Sequence, residues 1–263
     1  MNVVAILAVR NEELYIGRCC RHLADQGVRF AVIDNDSTDA TREIVETFRG
    51  HGLVTVIRVP FAGHYDWRGL LACKERLARR IDADWFLHLD ADEIPEGPVR
   101  GSALLPHLRV VEEAGYNAVN FDEFTFVPTS ETERHEGTDY VDGMRRYFFF
   151  APTPQRLIRL WRRAADVRLA VNGGHAAAFA GRRVYPVSFG LRHYMALSMD
   201  HLRRKYTVDR TYALAELELG WHGWRARAAD LDLRPPPGEL MGDASDGDDW
   251  DRSRPCSSHP FLA

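Results

Sequence analysis

The chain is poor in the features that mark several broad protein classes. Four cysteines in 263 residues, two of them adjacent at Cys19 and Cys20, cannot frame a disulfide scaffold. Lys and Arg number 34 against 38 Asp and Glu, a net charge of −4. That balance excludes polyanion binding by bulk charge, so no nucleic-acid partner is expected. The longest apolar runs, such as Val3 to Val9, fall far short of the roughly 20 residues that span a bilayer. The opening Met1-Asn2-Val3-Val4 lacks the charged, apolar and small-residue regions of a secretory signal, and a soluble, cytoplasmic protein is expected. Hydrophobic residues at 45% and charged residues at 27% exclude a wholly disordered chain.

Two periodicities alternate through the first hundred residues. Val3–Val9, Phe30–Ile33, Leu53–Val59 and Trp85–Leu89 are short apolar runs of buried-strand length. Between them, residues 12–26, 39–48 and 67–81 carry helical spacing, with Gly27 and Gly50 as stops. Continuous apolar strands separated by helices predict an α/β domain, Rossmann-like, with a mostly parallel central sheet flanked by helices. Beyond Gly97 the pattern predicts a helix over 103–114, a strand over 117–127, a mobile polar loop over 131–142 and strands at 146–150 and 157–161, read as a possible hairpin. A long helix is expected over 199–219. Residues 1–100 read as the regular α/β half, 101–234 as a less regular second half of the same domain, and 235–263, rich in Pro, Gly, Asp and Ser, as a flexible acidic tail.

Polar clusters fall where the parallel strands end, which is where ligands bind in open α/β sheets. Arg10-Asn11-Glu12 follows the first strand, Asp34-Asn35-Asp36-Ser37 the second, and Asp90-Ala91-Asp92-Glu93 the fourth. Two carboxylates at i and i+2 past a buried strand offer hard oxygen ligands, suited to Mg²⁺ or Mn²⁺ and through it to a diphosphate. Asp34 and Asp36 fit an Asx turn and helix cap, or a nucleobase and ribose contact. Val9-Arg10-Asn11-Glu12 is not a glycine-rich phosphate loop, so a metal at Asp90 and Asp92 is the available phosphate holder.

Three segments, VVAILAVRNEE, AVIDNDSTDAT and DWFLHLDADE, resemble family 2-like glycosyltransferases of the GT-A fold, in that family's order and approximate spacing. The resemblance implies a nucleoside-diphosphate sugar donor, a divalent metal, and transfer to a small-molecule or glycan acceptor, usually with inversion. It makes residues 1–100 the nucleotide-sugar-binding half and 101–234 the acceptor-binding and catalytic half of the same domain, and it places Arg10 and Glu12 near the nucleoside, Asp34 on the base and Asp36 in support. Asp90 and Asp92 would engage ribose, diphosphate and metal. The segments NGGHAAAF and LRHYMALSMDHLRRKY are similar to later parts of bacterial members. They imply His193 as a third metal ligand and Lys205 or Arg204 as neutraliser of the leaving diphosphate.

The general base is less determined. Many relatives carry an acid after the glycine turn, where this chain has His175-Ala176-Ala177. His175 can substitute, since imidazole titrates near neutral pH. Asp122 and Glu123 are the alternatives, with Asp139 and Asp142 on the loop behind them and a base-free or retaining route left open. Tyr65 and Trp67 are possible stacking residues. A binding module that has lost catalysis is the competing reading.

Overall fold

The computed structural model describes residues 1–245, 247 and 249–262. The order opens β1 (Val3–Val9), α1 (Ile16–Asp25), β2 (Arg29–Asp34), α2 (Thr41–Glu46), β3 (Leu53–Arg58), α3 (Trp67–Arg80) and β4 (Trp85–Leu89). It continues β5 (Glu93–Pro95), α4 (Leu104–Glu113), β6 (Ala118–Phe126), α5 (Tyr140–Gly143), β7 (Arg146–Phe150), β8 (Leu157–Arg162) and β9 (Phe189–Tyr194). Helices α6 (Met199–Thr207) and α7 (Leu214–Glu218) and the two-residue strands β10 (Gly242–Asp243) and β11 (Pro255–Cys256) complete it. The chain divides into two compact units, one of residues 1–61, 67–121 and 155–191, the other of 62–66, 122–154 and 192–263.

The first unit is the predicted α/β layer structure. β1 pairs in parallel with β2 on one side and β4 on the other, and β3 extends the sheet beyond β2. β8 then runs antiparallel to β4, and the first half of β6 antiparallel to β8. With strand order β3-β2-β1-β4, the order reverses at β1, which makes the β1/β4 boundary the topological switch point. β1, β2 and β4 are almost wholly buried, which is why they read as unbroken apolar runs. Helix α1 buries Ile16, Cys19, Cys20 and Leu23 on one stripe and stops at Gly27, whose φ of +71° suits glycine.

The second unit is built around the rest of β6, with β7 antiparallel to it. Its core gathers Val127, Phe148, Met195, Met199, Leu202, Tyr206, Met241 and Phe261. Ser198 caps α6 by accepting from the His201 amide at 3.0 Å.

Several expectations change. β7 and β8 do not form a hairpin with each other: β7 pairs with residues 123–126 of β6 and β8 with residues 118–121. The helix expected over 199–219 stops at Thr207, because Thr211 and Tyr212 are extended: the Tyr65 amide donates to the Thr211 carbonyl at 2.7 Å. The segment from 235 onward, expected to be a loose tail, places β10 antiparallel and β11 parallel to β7. Within it Trp250 is buried and stacks on Phe124 with ring centroids 4.5 Å apart. The polar segment 131–142 ends in the short helix α5, and Glu131 forks onto Arg203 at 2.6 and 2.9 Å. Among the described residues no helix is long and apolar enough to cross a membrane.

Candidate functional site

In the first unit the carboxyl ends of β1, β2 and β4 carry the expected polar groups. The Arg10 guanidinium donates to the Asn35 carbonyl at 2.8 Å and to the Asp36 carbonyl, and lies 3.6 Å from the centre of the Phe61 ring. It therefore pins the loop after β2. The Glu12 amide donates to Thr41 Oγ1 at 2.7 Å, which ties the β1 loop to the start of α2. Asp34 is buried and accepts from the Ser37 amide at 3.0 Å, the Asx turn its sequence predicts. Asp36 has a φ of +59° and accepts from Arg58 Nε at 2.8 Å. That hydrogen bond from Arg58 holds the Asp36 carboxyl below its ordinary range.

The loop after β4 is more elaborate than its four letters suggest. Glu93 turns back so that its carboxylate accepts from the Asp90 amide at 2.9 Å, while its own amide donates to the Asp90 carbonyl at 3.2 Å. The same carboxylate receives Arg159 Nη1 at 2.6 and 2.7 Å. Asp92 is buried, and the Asp90 side chain is 34% exposed. Asp90 Oδ1 lies 3.7 Å from Lys74 Nζ, and Oδ2 lies 3.9 Å from Arg159 Nη1.

Beneath this loop sit groups that should be costly to bury. Lys74 and His88 have no exposed surface. Burial pushes the Lys74 ammonium down to about 8, against the partial support of Asp90. Burial and then the positive charges of Lys74 and Arg159 hold His88 well below its ordinary value. The thiol of Cys20 is pushed up to about 12 by burial, and Cys19 is raised by burial and by its neighbour Cys20. Both cysteines act as core residues.

The turn Asn172-Gly173-Gly174-His175 rests against this floor. Trp67 Nε1 donates to the Gly173 carbonyl at 2.8 Å, which gives Trp67 a structural role. Gly174 adopts φ +85°, and a Cβ there would stand 3.0 Å from Leu71, 3.1 Å from Trp67 and 3.4 Å from His88. His175 is exposed, with Nδ1 3.3 Å from Arg156 Nη1.

The second unit holds the remaining candidates. Asp122 pairs with Arg252 Nε at 2.8 Å, a partner from the segment expected to be loose. Glu123 Oε1 accepts from His193 Nδ1 at 2.6 Å and from Thr125 Oγ1 at 3.1 Å. Lys205 is buried and donates to the Met195 carbonyl at 3.3 Å. Arg204 pairs with Asp209 at 3.4 Å, and Asp139 caps α5. Tyr65 meets Tyr212 and His222 edge to face.

Among the described residues no three or more His, Cys, Asp and Glu side chains stand together as a metal-holding group. The expected set Asp90, Asp92 and His193 is divided, the two aspartates in the first unit and the histidine in the second. Lys74, His88 and Arg159 were not anticipated. Their signal was a polar residue on an apolar pattern: Lys74 on the stripe of Leu70, Leu71, Leu77 and Ala78, His88 inside WFLHL and Arg159 inside LIRLW.

No curated protein sequence matches the chain. Among solved structures, TarS of S. aureus in complex with UDP-GlcNAc aligns at 14% identity over 74% of this chain and 58% of that one, with a TM-score of 0.46. A second TarS structure aligns at 14% identity over 82% of this chain, with a TM-score of 0.45, and there the present chain spans only 41% of the length. The mannosyltransferase PcManGT of Pyrobaculum calidifontis, in complex with GDP-Man and Mn²⁺, aligns at 16% identity over 87% of this chain and 73% of that one, with a TM-score of 0.44. The profile of glycosyl transferase family 2 matches residues 4–165, well over half of the chain, and the chain therefore belongs to that family.

Proposed function

We propose that the protein transfers a glycosyl group from a nucleoside-diphosphate sugar to a hydroxyl acceptor, with inversion and with a divalent cation. The observation that carries this reading is the pair Asp90 and Asp92 at the switch point of the first unit, beside Asp34 and Arg10. Two carboxylates fit Mn²⁺ or Mg²⁺, which commonly bind through one or two carboxylates with substrate phosphates and water supplying the rest. Asp90 and Asp92 would engage ribose, diphosphate and cation between them. When bound, the cation neutralises charge on the departing diphosphate.

In an inverting transfer the acceptor oxygen bonds to the anomeric carbon on the face opposite the diphosphate. The bond from that carbon to the diphosphate oxygen breaks, and the acceptor proton passes to a base. His175 is assigned as that base because its ring is exposed, with Nδ1 beside Arg156, whereas Asp122 and Glu123 are less exposed and ion-paired to Arg252 and His193. His193 as a nitrogen ligand and Lys205 as a diphosphate partner are carried as candidates for the same test.

That test is calorimetric titration of UDP, GDP and dTDP with and without Mn²⁺. One nucleotide binding tightly only with Mn²⁺, and Asp92→Ala losing that dependence, is the expected result. Wild-type protein that is folded yet binds none of them overturns the reading.

A further inference from the structure

A gathering of cations and aromatic rings lies wholly in the second unit, on residue 65 and residues 206–225. The Tyr65 amide donates to the Thr211 carbonyl at 2.7 Å, which brings Tyr65 beside Tyr212 with ring centroids 6.2 Å apart. The guanidinium carbon of Arg210 stands 5.6 Å from the Tyr65 ring centre and 5.3 Å from that of Tyr206. Arg225 approaches the same Tyr206 ring to 5.6 Å and the Trp224 ring to 5.4 Å. Both arginines are half-buried. Two guanidiniums therefore share one buried ring, and the charge of Arg210 works against that of Arg225. An anion seated beside both relieves that repulsion.

His222 anchors the cluster. Its φ of +70° is left-handed, close to Gly220 at +71° and Gly223 at +52°. A non-glycine residue is strained there and persists only where its surroundings determine it. Here Nε2 donates to Glu216 Oε2 at 2.7 Å, both side chains being buried, and the ring stacks on Tyr212 with centroids 4.2 Å apart. The stack fixes the Tyr212 phenol, whose oxygen is buried and meets no described residue at hydrogen-bond geometry. Burial raises the Tyr212 phenol above its ordinary value, with the Arg210 charge opposing that rise, so the group is a protonated donor at neutral pH. A buried hydroxyl in this state calls for a partner oxygen.

The donors narrow the class of ligand. Each guanidinium offers five N–H groups in a fixed fork, and the phenol offers one O–H. A carboxylate is satisfied by a single fork. A phosphate group carries about two negative charges at neutral pH and three strong acceptor oxygens even as a monoester, enough to engage both guanidiniums and the hydroxyl. We propose that Arg210, Arg225 and Tyr212 form a binding site in the second unit for a phosphate group, free or as the monoester of a small hydroxyl compound. The site goes beyond the nucleotide-sugar reading: none of its three residues is a candidate for the donor, and binding there needs no divalent cation.

The experiment titrates inorganic phosphate and glycerol phosphate into the whole chain by calorimetry, at constant ionic strength and without nucleotide or Mn²⁺. Wild-type protein binds both at millimolar concentration or below. Tighter binding of glycerol phosphate identifies the ester as the ligand, and equal binding identifies free phosphate. Arg225→Met weakens binding by about 10-fold or more, the scale of a lost charge-assisted hydrogen bond, and Arg225→Lys recovers part of that loss. Arg210→Met behaves as Arg225→Met does. Tyr212→Phe weakens binding by about 3- to 10-fold, the scale of one neutral donor. It keeps the ring and its stack, so its melting temperature stays at the wild-type value or above. Circular dichroism confirms that each variant is folded.

Folded wild-type protein that binds neither compound overturns the proposal. So does a folded Arg225→Met or Tyr212→Phe protein that binds phosphate as tightly as wild type, because the cluster is then packing only. Nucleotide binding with Mn²⁺ can fail while phosphate binding survives, and the reverse, so the two readings are judged apart.

Discussion

Arg159 donates from a single guanidinium nitrogen to both carboxylate oxygens of Glu93, at 2.6 and 2.7 Å, with both side chains buried. The two residues are 66 positions apart and lie at β8 and β5, either side of the Asp90 loop. The pair fixes the turn from which Asp90 and Asp92 project, so its integrity bears on the fold and the site together.

Arg159→Met leaves the Glu93 carboxylate buried without its cation. Breaking a buried pair from one side costs about 3–5 kcal/mol, and urea unfolding at pH 7 measures it. The double change Arg159→Met with Glu93→Gln restores part of that loss, since no bare charge remains. A single variant with wild-type stability contradicts the assignment.

Lys74 and His88 make stability depend on pH in one direction. Lys74 releases its proton near 8 in the folded chain against an ordinary value of 10.5. Between those values the unfolded chain binds more protons, so stability rises with pH across that interval. His88 has the same sign below its ordinary 6.5, so stability falls as pH drops from there toward its lower folded value. Unfolding free energies at pH 5, 7 and 9 check this. Lys74→Met should flatten the alkaline rise and His88→Phe the acid fall; an unchanged profile in both would count against the burial of these charges.

Gly174 and Gly181 separate backbone strain from steric contact. Both are left-handed, but a Cβ at Gly174 meets Leu71 and Trp67 at 3.0 and 3.1 Å, whereas one at Gly181 meets nothing within 4 Å. Gly181→Ala should cost only the backbone term, about 1–2 kcal/mol. Gly174→Ala should cost more, and should also weaken Mn²⁺-dependent nucleotide binding. Equal melting temperatures for the two variants would refute the close approach.

Trp250 tests the order of the C-terminal segment. It is buried, stacks on Phe124 and lies near Arg192, whose guanidinium carbon is 5.1 Å from its ring centre. Trp250→Ala should cost about 3–5 kcal/mol, as for a large aromatic removed from a core. A thermal melt matching wild type would restore the picture of a loose tail.

The composition of that segment was misleading for an identifiable reason. Its Pro, Gly, Asp and Ser content matches disordered chain, yet β10 and β11 both pair with β7, and Trp250 supplies the apolar anchor. Trp250, Met241 and Phe261 are buried but too scattered to carry a periodicity, so no pattern in the segment announced them. The hairpin expectation failed similarly: 146–150 and 157–161 both read as strands, but their shared partner β6 lies earlier in the chain.

What the sequence determined by itself was local and periodic. Unbroken apolar runs alternating with helical stripes specify parallel strands covered on both faces, and the polar letters after each run place Arg10, Asp34, Asp90 and Asp92 at one edge of the first unit. Tertiary structure decided the partners: Lys74 and Arg159 behind Asp90, Glu123 on His193 across 70 residues, and Arg252 on Asp122 across 130. The physical reason is that burial makes an unpaired charge costly wherever the chain brings it inside. Which distant residue answers that charge depends on which strands adjoin, and strand order is not written in any local pattern.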